Sequence, residues 1–413
     1  MSRLSALSLK KVASDLALLP KDIWGVGFAN LFINLSTIII FSLYSIYLVE
    51  ILGVSPWVVG IWDGLLQAFA LMSRIFSGMI SDYLRKRKLL LLIGYGFAAI
   101  SRPLLAFSPL LSIFMIGHAL DRLGNGMQAA PRDALIGDIA PKHLKGECYG
   151  LRQTLAIVGS ALGSLLTIPL MIWTHNNYRL LFLFSFIPAF IGALIIFWMV
   201  KEPKLPPVAA YKKHFIKLSN IMQLSKSFWL VIGLSSVFTL ARFGEAFLSL
   251  RGKNLGLETH NIALIMLVMN ICNSFAAYPF GRLSDIYDRR ILLAISFFIL
   301  ILSDFILGLS NSLTWAFVGV GLWGAQIGAT TSLILAMIAD TARPDLRATA
   351  FGIYYLITGL VHLIAGAWAG LVWEYYSPQM TYLVGGGITL ISLGGIAFLP
   401  SFSPKDIQLR NRT

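Results

Sequence analysis

The sequence carries little charge for its length. Of its 413 residues, 13% are charged and 57% are hydrophobic, whereas soluble globular chains carry about 25% charged residues. So few charges cannot cover the surface of a water-soluble protein of this size, and intrinsic disorder requires low hydrophobicity. Soluble and disordered proteins are therefore excluded, and the composition indicates a polytopic membrane protein.

Cysteine and the common catalytic motifs are also scarce. The two cysteines, Cys148 and Cys272, are too few for a disulfide framework or a metal cluster. The sequence contains no Gly-x4-Gly-Lys-Ser/Thr phosphate loop and no His-x3-His pair. We therefore expect no enzymatic activity, no metal site and no cofactor.

Long apolar runs dominate what is present. A helix needs about 20 mostly apolar residues to cross a bilayer, and twelve such runs follow one another along the chain. They cover residues 22–48, 57–80, 89–108, 110–132, 147–173, 179–200, 228–249, 259–279, 291–310, 313–338, 348–373 and 380–399. A membrane β-barrel would instead alternate in polarity over segments of about ten residues. The sequence therefore predicts an all-α polytopic membrane protein with 12 transmembrane helices.

The basic residues fall almost entirely on one side of this arrangement. The formal net charge is +14; with an internal N-terminus, the inner segments hold 25 Lys and Arg and the outer loops hold three, Arg179, Arg251 and Lys253. Because positively charged loops stay in the cytoplasm, both termini are predicted to be cytoplasmic. Topology and attraction to the lipid bilayer account for the charge, so no nucleic-acid partner is expected.

One polar stretch divides the predicted helices into six and six. Residues 201–227 begin with a segment rich in Lys and Pro and continue with lysines at the spacing of an amphipathic helix. We expect this stretch to be a cytoplasmic linker with a helix on the lipid headgroups. The predicted N-terminal six-helix bundle then covers residues 1–200, and the C-terminal bundle with its tail covers residues 228–413.

The two predicted bundles share sequence patterns. The loops after spans two and eight match at an offset of 203 residues, through Gly78, Asp82, Lys86 and Arg87 in the first and Gly281, Asp285, Arg289 and Arg290 in the second. A second match, at an offset of 202, relates Gly126, Asp138 and Gly150 to Gly328, Asp340 and Gly352. These matches indicate two halves in the same orientation, related by a pseudo-two-fold axis along the membrane normal.

These motifs resemble those of the major facilitator superfamily of secondary transporters, over essentially the whole chain. The first loop matches the family's Gly-x-x-x-Asp motif with its basic residues, and Arg122, Asn125 and Gly126 match its Arg-x-x-polar-Gly motif on span four. Its glycine pattern in exporters is matched on span five by Gly150, Gly159 and Gly163, with Ser164 in place of Pro. The resemblance implies the family's fold, close helix packing at Gly126 and these glycines, and a monomer in a bacterial inner membrane.

The loop motifs predict a conformational latch. Asp82 and Asp285 stand at helix ends, where a carboxylate can bind exposed helix amides or a nearby Arg. Such a contact breaks when the halves move, so it can favour one conformation. The predicted latch comprises Gly78, Asp82, Lys86, Arg87, Gly281, Asp285, Arg289 and Arg290. The alternative is that these basic residues only set the topology.

Charged residues within the spans form a second candidate site. A charge costs at least about 2.5–3.5 kcal/mol at the centre of a span, so these residues should face a polar cavity or each other. Asp121 and Arg122 fall in the middle of span four with His118 one turn away, and we expect them to form the centre of proton coupling. Arg102 and Asp304 are expected to form structural ion pairs. The alternative for Arg122 is that it only joins span four to a neighbouring helix.

Further polar residues complete the predicted cavity. Asp63 on span two and Arg242 and Glu245 on span seven lie nearer the outer side, and both a transport role and structural ion pairing stay open for them. The uncharged candidates at mid-depth are Asn34, Gln67, Asn270 and Gln326. Each of these can instead join two helices by a hydrogen bond.

The sequence thus predicts a secondary active transporter that carries a small organic solute by alternating access. Titratable residues within the spans favour proton coupling, and the glycines on span five favour export. Proton-coupled nutrient uptake by symport is the alternative within this class. A membrane receptor or scaffold that does not transport is the alternative outside it.

Overall fold

The computed structural model describes residues 18–108, 110–141, 144–203, 224–284, 286–342 and 346–402. Twelve long helical spans, numbered one to twelve, and no β-strand occur in these ranges. Their bounds are Lys21–Phe41 with Tyr44–Ile46 and Tyr47–Ile51, Pro56–Leu84, Arg87–Ala106, Leu111–Ile139, Lys145–Trp173, Tyr178–Met199, Lys226–Ala241 with Ala246–Asn254, Ala263–Leu283, Arg289–Leu309, Leu313–Thr341, Arg347–Tyr375 and Pro378–Gly395. The predicted twelve-helix architecture is confirmed.

The connections between spans two and three, four and five, eight and nine, and ten and eleven contain or adjoin several basic residues. We call these helix ends the basic side of each predicted half, and the other helix ends the opposite side. Residues 52–55, between spans one and two, are a connection of the second kind. The predicted linker helix falls largely within 204–223 and lies outside the described residues.

Span four is longer and more polar than predicted. Eleven helices are apolar enough to be recognised as spans by hydropathy, and span four is not one of them. It is nevertheless a helix of 29 residues that ends at Ile139, seven residues beyond the predicted end. Its length of about 43 Å exceeds the hydrocarbon core of about 30 Å, so its polar last turns lie towards the basic side.

Span seven is interrupted, which the sequence did not predict. Its first segment ends at Ala241, and a second segment begins at Ala246. A break frees helix carbonyl groups that need hydrogen-bond donors. One is supplied by Trp368 of span eleven, whose indole N–H donates to the carbonyl of Leu240 at 2.9 Å. Residues 242–245 therefore form a short non-helical segment tied to span eleven.

Close helix contacts are made at glycines. A Cβ at Gly159 would collide with the backbone of Leu31, and one at Gly163 with the backbone of Leu35, so span five packs tightly on span one.

The contacts between residues divide the chain into two compact units. One contains the described residues up to Ile40 and those from Ser73 to 203, and the other contains residues 41–72 and those from 224 onward. The division into bundles at 1–200 and 228–413 stays a prediction.

Candidate functional site

Arg87 organises the basic-side end of spans two, three and four. Its guanidinium lies 2.5 Å from Oδ1 of Asp82 and 3.2 Å from Oδ2 of Asp138, and it donates to Ser81 Oγ at 2.8 Å. Lys86 is exposed at the N-cap of span three. The structure therefore brings two of the predicted latch residues, Asp82 and Arg87, together within one unit.

The turn before Arg87 has an unusual backbone conformation. Arg85 has a φ of 56°, in the left-handed region that glycine occupies without steric cost. Gly78, at the start of the same motif, faces Ala130 of span four, 3.3 Å from where a Cβ would lie. The loop motif thus forms a tight turn that packs on span four.

The second half has a related but shifted arrangement. Arg289 pairs with Asp340, and Arg290 binds Asp288 at 2.8 Å and the carbonyl of Leu399 at 3.1 Å. The sequence match aligned Arg87 with Arg290, whereas the ion pairs align Arg87 with Arg289. Gly281 has open space around it, and Asp285 lies outside the described residues.

A buried charge network lies at mid-depth in the first unit. Arg102 is fully buried, and its guanidinium lies 2.8 Å from Oδ1 of Asp121. It also donates to the hydroxyls of Ser36 at 2.9 Å and Thr37 at 3.0 Å. Arg122 approaches Oδ2 of Asp121 at 3.2 Å. One carboxylate therefore joins two guanidinium groups between spans one, three and four.

His118 packs beside this network rather than within a polar channel. Its ring is fully buried and lies edge-on to Phe114, with ring centroids 6.0 Å apart.

Structural ion pairs were expected for Arg102 and Asp304. The ion pair expected for Arg102 is present, with Asp121. The ion pair expected for Asp304 is absent, because no cation or hydrogen-bond donor in the described ranges contacts its fully buried carboxyl group. Gly385 and Gly386 of span twelve, which have no side chain to bind it, lie against this carboxyl group.

Asp63 lies at the contact between span two and the break in span seven. It is 2% exposed, and the hydroxyl of Tyr44 donates a hydrogen bond to its Oδ1. A side chain at Gly244 would collide with the Asp63 carboxylate. Arg242 and Glu245 flank Gly244 in the break. The three charged residues predicted near the outer side are therefore brought to one place.

Glycines allow spans two and eleven to pack tightly beside Asp63. Cβ atoms at Gly60 or Gly366 would collide with each other's backbone, and one at Gly64 would meet the carbonyl of His362. Gly370 approaches Trp57 in the same way. We call this contact, defined by Gly60, Gly64, Gly366 and Gly370, the glycine seam.

The uncharged candidates mostly bind their own helices. The amide of Asn34 donates to Asn30, that of Asn270 to the carbonyl of Met266, and that of Gln326 to Thr330. Gln67 lies half-buried on span two.

Two of the glycines expected at close helix contacts differ in their surroundings. Gly126 is buried, and its carbonyl lies 3.5 Å from Ser77 Oγ. At Gly150, no atom of another helix lies within 4 Å of where a Cβ would be. Close helix packing therefore does not explain why position 150 is a glycine.

Comparison with known proteins decides the family. The model of the Major Facilitator Superfamily matches residues 26–257 and 246–411. The chain belongs to the major facilitator superfamily. It is 29% identical over 385 residues to an uncharacterized MFS-type transporter of Methanocaldococcus jannaschii, covering 91% of this chain and 94% of the relative.

Two further proteins are similar to this chain. The chain is 24% identical over 392 residues to the multidrug resistance protein MdtH of Yersinia pestis, covering 89% of this chain and 92% of the other. The crystal structure of the nucleoside transporter NupG superimposes with a TM-score of 0.77 at 11% identity, covering 91% of this chain and 99% of that one. The chain is thus an MFS-type membrane transporter with the superfamily fold.

One polar group in this superfamily member was missed by the sequence analysis. Arg132 and Asp133 lie within span four, close to Arg74 and Arg152 of spans two and five. The predicted span four ended at residue 132, so these charges were assigned to a loop. The available signal was helical spacing, because Arg132 and Asp133 continue the helix that carries Asp121 and Arg122.

Proposed function

We propose that the protein exports a small organic solute by alternating access and uses protons as the coupling ion. Asp63 carries this proposal. It is a titratable side chain, 2% exposed, at a contact between spans of the two predicted halves. Alternating access requires such contacts to open, so the protonation state of Asp63 is suited to control the opening.

The proton acts through the cost of burying Asp63. A neutral carboxyl group costs less to bury than a carboxylate, so a proton that binds Asp63 favours the packed glycine seam. Loss of the proton favours separation of span two from the break in span seven. Tyr44, which donates to Asp63, and the charged residues Arg242 and Glu245 set the electrostatic surroundings of this step.

The direction of transport follows from which side supplies the proton. We assign the basic side to the cytoplasm of a bacterial inner membrane, with both termini there. A proton from outside then closes the glycine seam and turns the carrier inward, where release of the proton accompanies solute binding. In this order of events, protons that enter down their gradient drive the export of solute. The glycines of span five and the similarity to MdtH, a multidrug resistance protein, support export over uptake.

Asp121 receives a different role in this proposal. Its protonation would leave two guanidinium groups facing each other without their carboxylate. We therefore assign the Arg102–Asp121–Arg122 network to holding spans one, three and four together. The prediction of a coupling centre at Asp121, with His118 as relay, is tested by the same experiment.

The test compares exchange with gradient-driven accumulation in proteoliposomes. A radiolabelled solute is first selected by a thermal-shift screen of the purified protein. Wild-type protein is expected to show both counterflow and accumulation driven by a pH gradient. Asp63→Asn is expected to retain counterflow, because the solute still exchanges, and to lose the gradient-driven component. Glu258→Gln, an exposed acid on the opposite side, is the matched control and is expected to behave as wild type.

Three outcomes would contradict this proposal. Accumulation by Asp63→Asn with the wild-type pH dependence would move coupling to another residue, and loss of it only in a well-folded Asp121→Asn would assign coupling to Asp121. A wild-type protein that binds the solute but shows no counterflow would favour a receptor.

A further inference from the structure

Three arginines converge on one carboxylate in the basic-side half of the first unit. Arg74, Arg132 and Arg152, on spans two, four and five, approach Asp133 with N–O distances of 3.6, 3.4 and 3.9 Å. Arg132 also donates to Oδ1 of Asn30 at 2.9 Å. We call Arg74, Arg132, Arg152 and Asp133 the arginine cluster.

The charge of the arginine cluster is not balanced from within. Arg152 lies within electrostatic range of the guanidinium groups of Arg132 and Arg74 and of the carboxylate of Asp133. Three positive charges therefore face one negative charge. An excess of positive charge inside a membrane protein is costly unless an anion or water accompanies it.

Two buried donors at the arginine cluster have no hydrogen-bond acceptor. Nε of Arg152 makes no hydrogen bond within the described part of the chain, since its distance of 3.9 Å to Asp133 is too long for one. The hydroxyl of Tyr95 is fully buried without a partner in the same part, and Tyr95 lies within electrostatic range of Arg132 and Arg152. Buried donors without acceptors are expensive, so an acceptor is expected to bind here.

The arginine cluster lies two to three turns inside the ends of its helices. Arg132 lies seven residues before the end of span four, about 10 Å along the helix, and Arg74 lies ten residues before the end of span two, about 15 Å. The side chains of Arg74 and Asp133 are 40% and 32% exposed, so a ligand can reach them. The arginine cluster is therefore accessible yet recessed from the helix ends.

We propose that the arginine cluster binds the anionic group of the transported solute, a carboxylate or a phosphate. That the bound anion is transported rests on the function proposed above, whereas the binding of an anion does not. Planar guanidinium groups bind such oxyanions through two parallel hydrogen bonds. Asp133 competes with the ligand for the same donors and releases them when the anion enters. The solute is accordingly an organic anion that binds from the basic side.

Anion binding is tested on the purified full-length protein by thermal shift. The probes are inorganic phosphate and succinate, compared with potassium chloride at the same ionic strength, because screening alone alters stability. Wild-type protein is expected to show a saturable rise in melting temperature with phosphate or succinate only. Arg132→Gln and Arg152→Gln are expected to weaken the apparent affinity about tenfold or more. Lys145→Gln, a basic residue at the start of span five outside the arginine cluster, is expected to leave it unchanged.

Asp133→Asn separates a binding site from a set of structural ion pairs. Removal of the competing carboxylate is expected to raise the apparent anion affinity at least about tenfold, because the repulsion between the anion and this nearby negative charge is lost. Structural ion pairs predict only a lower melting temperature without a change in anion response. An unaltered anion affinity in folded Asp133→Asn would therefore overturn the proposal, as would equal responses to chloride and to the oxyanions.

A lipid headgroup is the other source of the same chemistry. The titration is repeated in nanodiscs of phosphatidylcholine and of phosphatidylglycerol. A solute site keeps its response to phosphate or succinate in both lipids, whereas a headgroup site loses it in phosphatidylglycerol, which would overturn the solute assignment. Anion binding without any counterflow would contradict the proposed function and leave the arginine cluster as an anion site. Counterflow of a neutral solute without anion binding would overturn the anion site and support transport.

Discussion

Arg87 binds Asp138 between spans three and four, and 202 residues later Arg289 binds Asp340 between spans nine and ten. At mid-depth the same offset relates residues of different chemistry. Arg102 and Asp121 form a buried ion pair, whereas the equivalent positions in the second half hold Asp304 and Trp323. The helix-end pair is thus common to both halves, and the mid-depth chemistry is not.

The second half fills its mid-depth region with aromatic rings. Trp323 packs edge-on against Phe243, with ring centroids 5.2 Å apart, and Phe243 packs likewise on Tyr382 and Trp368. Such contacts stabilise a bundle without polar partners. The helix-end ion pair is therefore similar in the two predicted halves. The mid-depth regions differ, with a buried charge network in the first half and packed aromatic rings in the second.

The largest effect is expected when the buried carboxylate of the first half, that of Asp121, is neutralised. Asp121→Asn leaves the guanidinium groups of Arg102 and Arg122 without their carboxylate. Breaking a buried ion pair in this way costs about 3–5 kcal/mol, and we expect a loss of this size in denaturant unfolding of the protein in detergent. A loss below about 1 kcal/mol would contradict the role assigned to the network.

The helix-end pairs are expected to give a smaller effect that differs between the halves. Arg87→Gln removes contacts to Asp82, Asp138 and Ser81, whereas Arg289→Gln removes the contact to Asp340. We expect the free energy of unfolding to fall by about 2 kcal/mol in Arg87→Gln and by about 1 kcal/mol in Arg289→Gln, since these pairs are only partly buried. Double-mutant cycles with Asp138→Asn and Asp340→Asn measure the shared pair, and unequal coupling energies there would contradict its equivalence.

Asp304→Asn is the matched partner of Asp121→Asn and should have the opposite sign. Asp304 is fully buried, and no donor in the described ranges binds it. Burial disfavours the charged form of this carboxyl group, and an amide of nearly the same size is neutral at every pH, so we expect unchanged stability or a gain of up to about 1 kcal/mol. The same unfolding experiment decides the matter, and a large loss would reveal a partner for Asp304.

The smallest expected effect concerns the N-cap of span nine. Burial alone would raise the pKa of Asp288, but hydrogen bonds from the side chain and backbone of Arg290 and from the backbone of Phe402 hold it below its usual value. A lowered pKa gives stability that is present above the unfolded pKa and is lost as the pH falls through the folded pKa. Asp288→Asn should flatten the acid side of the stability profile in this range.

The equivalent position in the first half provides the control for that profile. Lys86 occupies the N-cap of span three and makes no side-chain capping bond. Lys86→Asn is therefore expected to leave the acid side of the profile unchanged. A flattened profile in both variants would show that the effect does not come from the Asp288 cap.

The helices could be predicted from apolar runs because the bilayer requires about 20 apolar residues per span. This rule fails where polar residues are buried inside a bundle rather than exposed to lipid. The predicted end of span four fell at residue 132 because Arg132, Asp133 and Asp138 follow, although the helix continues to Ile139. The break at residues 242–245 was missed because its freed carbonyl is satisfied by Trp368, 128 residues further along the chain.

The site could be predicted as a set of residues but not as a set of contacts. Charges within spans identified Asp63, Arg102 and Asp121 as unusual, since lipid does not tolerate them. Their partners lie on other helices, as Tyr44 and Asp63 illustrate, so no local spacing indicates the pairs. Local contacts are the exception, and the pairing of Asp82 with Arg87 across one turn follows from the loop motif itself.

Control of the glycine seam by protonation of Asp63 can be measured as a distance that depends on pH. Spin labels at Ser55→Cys and Tyr375→Cys, in a protein with Cys148 and Cys272 replaced by Ala, report the distance between the opposite-side ends of spans two and eleven by double electron–electron resonance. We expect a short and a long distance, with the short one gaining population as the pH falls from 8 to 5.5. In Asp63→Asn the short distance should dominate at both pH values. A wild-type distance distribution that does not change with pH, or an Asp63→Asn distribution that changes with pH as the wild-type one does, would rule out this control by Asp63.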